Sequence, residues 1–147
     1  MYYKLAHAYY LNGDYEQAKA KFEQVISKNE NYYQAYYYLG EIYKNKENWQ
    51  HALYNYEQAV KYNPDFADAY IAMGNIYLKQ ENYYKAISSF SSAIEKNENY
   101  PEGHYRLGIT YYRLNMKEAA IKELRTTLHL SSEYKQAEEL LNKLTEE

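Results

Sequence analysis

Apolar positions fall at helical spacing, in paired stretches separated by short polar turns. Tyr36, Leu39, Gly40 and Tyr43 stand at i, i+3, i+4 and i+7, which is one face of a helix. After the turn, Ala52, Leu53, Tyr56, Ala59 and Val60 mark a second face of the same period. Asp14, Asn48 and Asn82 stand just ahead of second helices and are good N-cap residues; Asn115 with Glu118 is expected to act as a capping box. Pro64 and Asp65 close one helix and open the next, and Pro101 suits a first helical turn. The pattern predicts antiparallel helix pairs and no strand.

The pairs repeat. Gly40, Gly74 and Gly108 are each 34 residues apart, as are Ala18, Ala52, Ala86 and Ala120, and Tyr9, Tyr43, Tyr77 and Tyr111. No insertion breaks the register over four copies, the mark of a repeat architecture. Glycine and alanine remove bulk where paired helices cross, so the axes can approach the close end of the ~8–10 Å range. Tyr43, Tyr77, Tyr111, Tyr56 and Phe90 are expected to fill the space between repeats.

These residues resemble the tetratricopeptide repeat. The second copy carries Tyr36, Leu39, Gly40, Tyr43, Ala52, Tyr56, Ala59 and Pro64; the third Tyr70, Met73, Gly74, Tyr77, Ala86, Phe90 and Ala93. The first matches through Tyr2, Leu5, Tyr9, Ala18 and Phe22, with Ala6 where glycine is usual. The fourth departs most, with His104, Leu124 and Thr127 at aromatic, aromatic and small positions. The resemblance implies an all-α, right-handed α-solenoid of four helix hairpins (1–32, 33–66, 67–100 and 101–134) in one domain over 1–147. Residues 135–147 place Ala137, Leu140, Leu141 and Leu144 on one stripe and read as a C-terminal capping helix. The first helix has no such lid: Tyr2, Tyr3, Leu5, Ala6, Ala8, Tyr9 and Tyr10 run almost all round it. That bareness fits either a piece cut from a longer array or an end that meets another protein.

The resemblance also implies that the leading helices line a concave groove, where a partner protein or peptide binds without catalysis. The candidate groove comprises Tyr3, Lys4, His7 and Tyr10; Gln34, Tyr37, Tyr38, Glu41, Lys44 and Asn45; Asp68, Ile71, Asn75, Leu78 and Lys79; and Glu102, Tyr105, Arg106, Ile109, Tyr112 and Arg113. Affinity is assigned to Tyr37, Tyr38, Tyr105 and Tyr112, and register to Asn45, Asn75, Lys79, Arg106 and Arg113. Five basic against three acidic groups favour an acidic or aromatic segment of the partner. A solvated face coloured by biased codon usage explains the same residues. One known subfamily clamps the carboxylate end of chaperone tails with lysine, asparagine and arginine on the leading helices. The matching positions here are Tyr3, His7, Tyr38, Asp68 and Ala72 in one frame, or Tyr37, Glu41, Ala72, Glu102 and Arg106 in the next. Only Arg106 fits, so that kind of capture is not expected.

Composition narrows the partners further. A net charge of −3 argues against a binder that neutralises nucleic-acid phosphates. No run approaches the ~18 apolar residues of a membrane span, and no leader peptide is read at the start. With no cysteine there is no thiol chemistry, which suits the cytoplasm. His7, His51, His104 and His129 lack metal-ligand spacing, and the serines at 88–92, read on the outer side of a second helix around a buried Phe90, lack a nucleophile's glycine setting, so no cofactor, metal or catalytic residue is expected. Tyrosine is abundant, with 23 in the chain and six between Tyr32 and Tyr43. Of those six, Tyr36 and Tyr43 are expected in the core, Tyr32 and Tyr33 at the joint, and Tyr37 and Tyr38 open to the groove. Two other readings stand beside the binding one: a structural segment that self-assembles through its first helix, and a targeting or regulatory fragment of a larger enzyme.

Overall fold

The computed structural model describes residues 2–146. Among them are nine α-helices and no strand: α1 (Tyr2–Leu11), α2 (Tyr15–Lys28), α3 (Tyr33–Asn45), α4 (Trp49–Tyr62), α5 (Ala67–Lys79), α6 (Tyr83–Lys96), α7 (Pro101–Arg113), α8 (Lys117–Leu130) and α9 (Lys135–Glu146). The packing falls into two compact units, Met1–Ala69 and Tyr70–Glu147.

One turn design joins the two helices of every hairpin. Glu47, Glu81 and Asn115 have φ of 56°, 57° and 58°, and Gly13 at the equivalent place has 83°. The next residue donates its N–H back over the helix end: Asp14 to Tyr9 O, Asn48 to Tyr43 O, Asn82 to Tyr77 O and Met116 to Tyr111 O, at 2.8–2.9 Å. This is a Schellman closure, and the tyrosines that recur every 34 residues supply its acceptors. The donating residue is also the N-cap of the following helix, so a single residue ends one helix and starts another. Asn48 and Asn82 accept the N–H of His51 and Lys85, as N-cap amides should. Asp14 makes no such bond and takes Asn12 Nδ2 at 2.6 Å instead. Asn115 is not a capping residue either; it occupies the left-handed position, and Met116 stands at the N-cap. Asparagine tolerates that backbone, which is the physical reason for it there. Pro101 is at the first turn of α7.

In the first unit the crossings are filled by rings. A Cβ at Gly40 would lie 2.5 Å from Tyr56 Cε1, so the α3 backbone rests on the face of that fully buried ring. In α1 the same position is Ala6, packed with Phe22, Ala18, Ala35, Leu39 and Ile42 in one core. In the second unit Gly74 stands 2.5 Å from Phe90 by the same measure. A Cβ at Gly108 would meet no ring; it would meet Leu124, with Cγ at 3.2 Å and Cδ2 at 3.3 Å, and Ala120 O at 3.5 Å. Tyr56 and Phe90 therefore fill the crossing inside a hairpin, not the space between repeats that the sequence suggests. Ser89, expected on the outer side, is also buried. Thr110 and Thr127 are fully buried but bond their own helix, to Arg106 O and Glu123 O, which satisfies the hydroxyls. α9 lays Ala137 and Leu144 against Ala120 and Leu124, with Leu140 and Leu141 alongside.

Several tyrosines outside the crossings are half-buried and pack on other rings. Tyr36 stacks on Tyr62 at 5.4 Å, and Tyr43 on His51 at 5.1 Å with Lys19 over its ring. Tyr32 meets Tyr3, and Tyr33 meets Phe66, both at 5.0 Å. Loss of water raises the phenols of Tyr3, Tyr10 and Tyr36 to about 12; the neighbours Tyr38, Glu41 and Tyr62, respectively, add to the rise.

Two outcomes follow from this packing. Gly74→Leu is expected to lose about 1–3 kcal/mol of unfolding free energy. Gly108→Ala should stay near the wild type in the same urea titration, because Leu124 can give and alanine favours the helix by about 1 kcal/mol. Equal losses at both positions would contradict the ring-on-backbone contact. The second outcome concerns pH. In the unfolded chain tyrosine ionises near 10, whereas these three hold their protons to about 12. Between those values the unfolded state binds fewer protons, so their contribution is intact below about 10 and declines as pH rises through the folded values. Helix loss by circular dichroism should then coincide with a steep rise in tyrosinate absorbance. Smooth ionisation of every tyrosine near 10 with helicity unchanged would refute it.

Candidate functional site

The expected groove residues divide sharply in their surroundings. In the first unit most are tied up internally. Tyr38 lies flat on Phe22 at 5.4 Å, with 5° between the rings, and its hydroxyl is 3.0 Å from His7 Nε2. Tyr3 and Tyr10 close around Tyr38 at 6.3 and 5.0 Å. Tyr37 packs on Tyr56 and Phe66 at 5.7 and 5.1 Å, and burial pushes its phenol strongly upward, with the Glu41 carboxylate adding to the effect. Tyr37 and Tyr38 are thus half-buried packing residues rather than open anchors. A tyrosine ring is long enough to lie down across a neighbouring helix, and in α3 both do.

Glu41 shows why. Tyr56 is fully buried, so its hydroxyl needs an acceptor, and it donates to Glu41 Oε1 at 2.5 Å. Lys44 Nζ pairs with the other carboxylate oxygen at 2.5 Å. Glu41 and Lys44 are therefore spent on the fold, while Lys4, Asn45 and Asp68 are exposed and Gln34 is half-exposed.

The second unit is different. One repeat on from Tyr56 stands Phe90, which has no hydroxyl, and one repeat on from Glu41 stands Asn75. Asn75 Oδ1 is a buried side-chain oxygen with no hydrogen-bond partner among the described residues. At the equivalent place in the first unit the donor is the Tyr56 hydroxyl. Asn75 opens onto a cleft of about 340 Å³ lined also by Leu78, Lys79, Glu81, Tyr83, Arg106, Ile109 and Arg113. Ile71, expected in the groove, is instead buried, its terminal methyl near Gly103. A second cleft, of about 390 Å³, lies between α7 and α9 and is lined by Tyr105, Ile109, Tyr112, Arg113, Gln136, Glu139, Leu140 and Lys143. The α9 residues in it were not among the expected groove residues; the exposed polar side chains of Gln136, Glu139 and Lys143 look like an ordinary solvated helix face.

Around α7 the walls are fixed. Glu102 accepts from Arg106 Nε at 2.6 Å and from the Tyr134 hydroxyl. Tyr105 packs on Tyr134 at 4.7 Å. Burial raises both phenols, more strongly at Tyr134 where the Glu102 carboxylate adds to it. Lys143 donates to the Tyr112 hydroxyl at 3.0 Å, joining α9 to α7. His104, in an aromatic slot of the repeat, pairs with Glu123 at 2.7 Å. Among the described residues no three His, Asp or Glu side chains are grouped as metal ligands, and no helix is long and apolar enough to cross a membrane.

No curated protein sequence matches the chain. Among solved structures, MamA from Desulfovibrio magneticus RS-1 superposes with a TM-score of 0.85 at 19% identity, covering 97% of this chain and 81% of that one. YrrB, described as a TPR protein with an unusual peptide-binding site, gives 0.80 at 21%, over 97% and 74%. The first TPR of Spaghetti (RPAP3), bound to HSP90 peptide SRMEEVD, gives 0.74 at 19%, over 78% and 90%. These likenesses show the all-α fold. Sequence models of the tetratricopeptide repeat match residues 3–54, and those of the TPR repeat match 42–81 and 74–115. With most of its length matched in this way, the chain belongs to the tetratricopeptide-repeat family.

Proposed function

We propose that this protein is a non-enzymatic interaction module that holds a peptide segment or partner surface against the leading helices of its second unit, α5 and α7. The observation that carries the reading is Asn75, whose side-chain oxygen is buried without a donor among the described residues and which lines a cleft with Lys79, Arg106 and Arg113. Leaving such an oxygen unpaired costs about 1–3 kcal/mol, and a peptide N–H in the cleft would recover it. The peptide-binding site of YrrB and the peptide bound to Spaghetti (RPAP3), on the same fold, support the reading. The cations support an acidic segment. We assign no reaction to the chain, and its cellular compartment stays the expectation drawn from its composition.

A second reading has its own observation. Tyr2 and Leu5, three residues apart on α1, are 41% and 43% exposed, an apolar face through which copies would associate. It predicts a concentration-dependent mass by light scattering, lost in the Tyr2→Glu/Leu5→Glu variant.

A random-peptide array tests the first reading. Arg113→Glu should reduce capture at least tenfold, about 1.4 kcal/mol, and Tyr38→Phe should leave it unchanged. Phe90→Tyr is the sharper probe. Its hydroxyl, placed as in Tyr56, would donate to Asn75 Oδ1, so binding should fall while the melting temperature holds or rises. Capture that depends on Tyr38 and ignores Arg113 and Phe90 would move the site to the first unit.

A further inference from the structure

The two clefts of the second unit share a wall. Ile109 and Arg113 line both, because α7 runs between them with α5 on one flank and α9 on the other. Resting on the peptide-binding reading above, we propose that the ligand is bipartite and crosses α7. An acidic side chain sits in the α5–α7 cleft and an apolar or aromatic one in the α7–α9 cleft, about three residues apart. α9 is thereby a specificity wall as well as a cover for the last hairpin.

The chemistry of the two clefts differs in the required way. The first holds Lys79, Arg106 and Arg113 against the single carboxylate of Glu81, with the Asn75 oxygen beside them. Arg106 is already paired to Glu102, and Arg113 is exposed. A ligand carboxylate complements this side, and the backbone N–H next to it is the donor Asn75 lacks. The second cleft offers the faces of Tyr105, Ile109, Tyr112 and Leu140. Its walls are pinned in advance, Tyr105 against Tyr134 and Tyr112 to Lys143, so an entering ring meets a formed seat and little order has to be imposed on binding.

Geometry sets the spacing. Seats on opposite flanks of one helix are separated by about one interhelical distance, ~8–10 Å. A ligand in the polyproline II conformation advances ~3.1 Å per residue with three residues per turn, so side chains three residues apart face the same way about 9 Å apart and roughly three residues carry the ligand from one seat to the other. The motif is an apolar residue and an acid with two residues between them. The reverse order fits equally, since the polarity of the crossing is not fixed by the lining residues.

Synthetic peptides test it: GSFAADGS and GSDAAFGS, each with counterparts in which Asp becomes Lys or Phe becomes Ser, titrated by NMR chemical shift into the full chain. One of the two orders is expected to bind at least tenfold more tightly than both of its counterparts. Arg113→Glu should abolish the preference for Asp over Lys. Leu140→Asp should abolish the preference for Phe over Ser and spare the acidic one. Because Leu140 also packs against the core of the last hairpin, Gln136→Trp serves as an independent variant: it fills the same cleft from an exposed position and should have the same selective effect. If Asp still beats Lys while Phe and Ser bind alike, the role of α9 is wrong and the peptide site survives. If no peptide of either order binds, both readings fall together.

Discussion

A helix backbone laid directly on an aromatic ring is the contact from which the rest of this structure follows. Gly40 lies on Tyr56 and Gly74 on Phe90, each closer than any side chain would permit. The approach buries the ring completely, and complete burial sets a condition on whatever the ring carries. A tyrosine must find an acceptor for its hydroxyl, and Tyr56 takes Glu41, which also engages Lys44. A phenylalanine imposes no such demand, and Asn75, at the place of Glu41, has an oxygen with no partner among the described residues. One hydroxyl, present in one hairpin and missing from the next, thus decides whether the leading helix is occupied with its own fold or has a polar group to offer.

The helices and their 34-residue phase were legible because small residues, capping asparagines and helical spacing all point the same way. The positions that misled are those where one residue type serves two purposes. Asparagine caps a helix or adopts a left-handed turn, and only the hydrogen bond tells Asn48 from Asn115. Ser89 reads as a surface serine by residue type yet is buried in α6, and its place three residues after Ala86 and four before Ala93 is the inner face of the helical period.

The candidate site was less legible, for a reason specific to tyrosine. Its ring buries well and its hydroxyl is content in water, so a tyrosine on a leading helix is equally at home standing up or lying down. Tyr38 lies on Phe22 with its hydroxyl satisfied by His7. Tyr105 and Tyr112 remain on a cleft wall. The choice depends on what the neighbouring helix presents, which is a relation between residues some 16–31 positions apart in sequence. The contribution of α9 was hidden in the same way: Gln136, Glu139 and Lys143 acquire meaning only from the helix opposite them.

The turn inside each hairpin carries a consequence for how such a chain can change. Because one residue both closes the helix before it and opens the helix after it, adding or deleting a single amino acid there would rotate the second helix by about 100° relative to the first. Every buried alanine and ring beyond that point would face the wrong way. Point replacement is tolerated at the turn, as Gly13, Glu47, Glu81 and Asn115 show, but change of length is not. A molecule built on this joint is expected to grow or shrink in evolution by duplication or loss of entire hairpins, through recombination between the repeated stretches of its own gene, and not by small steps.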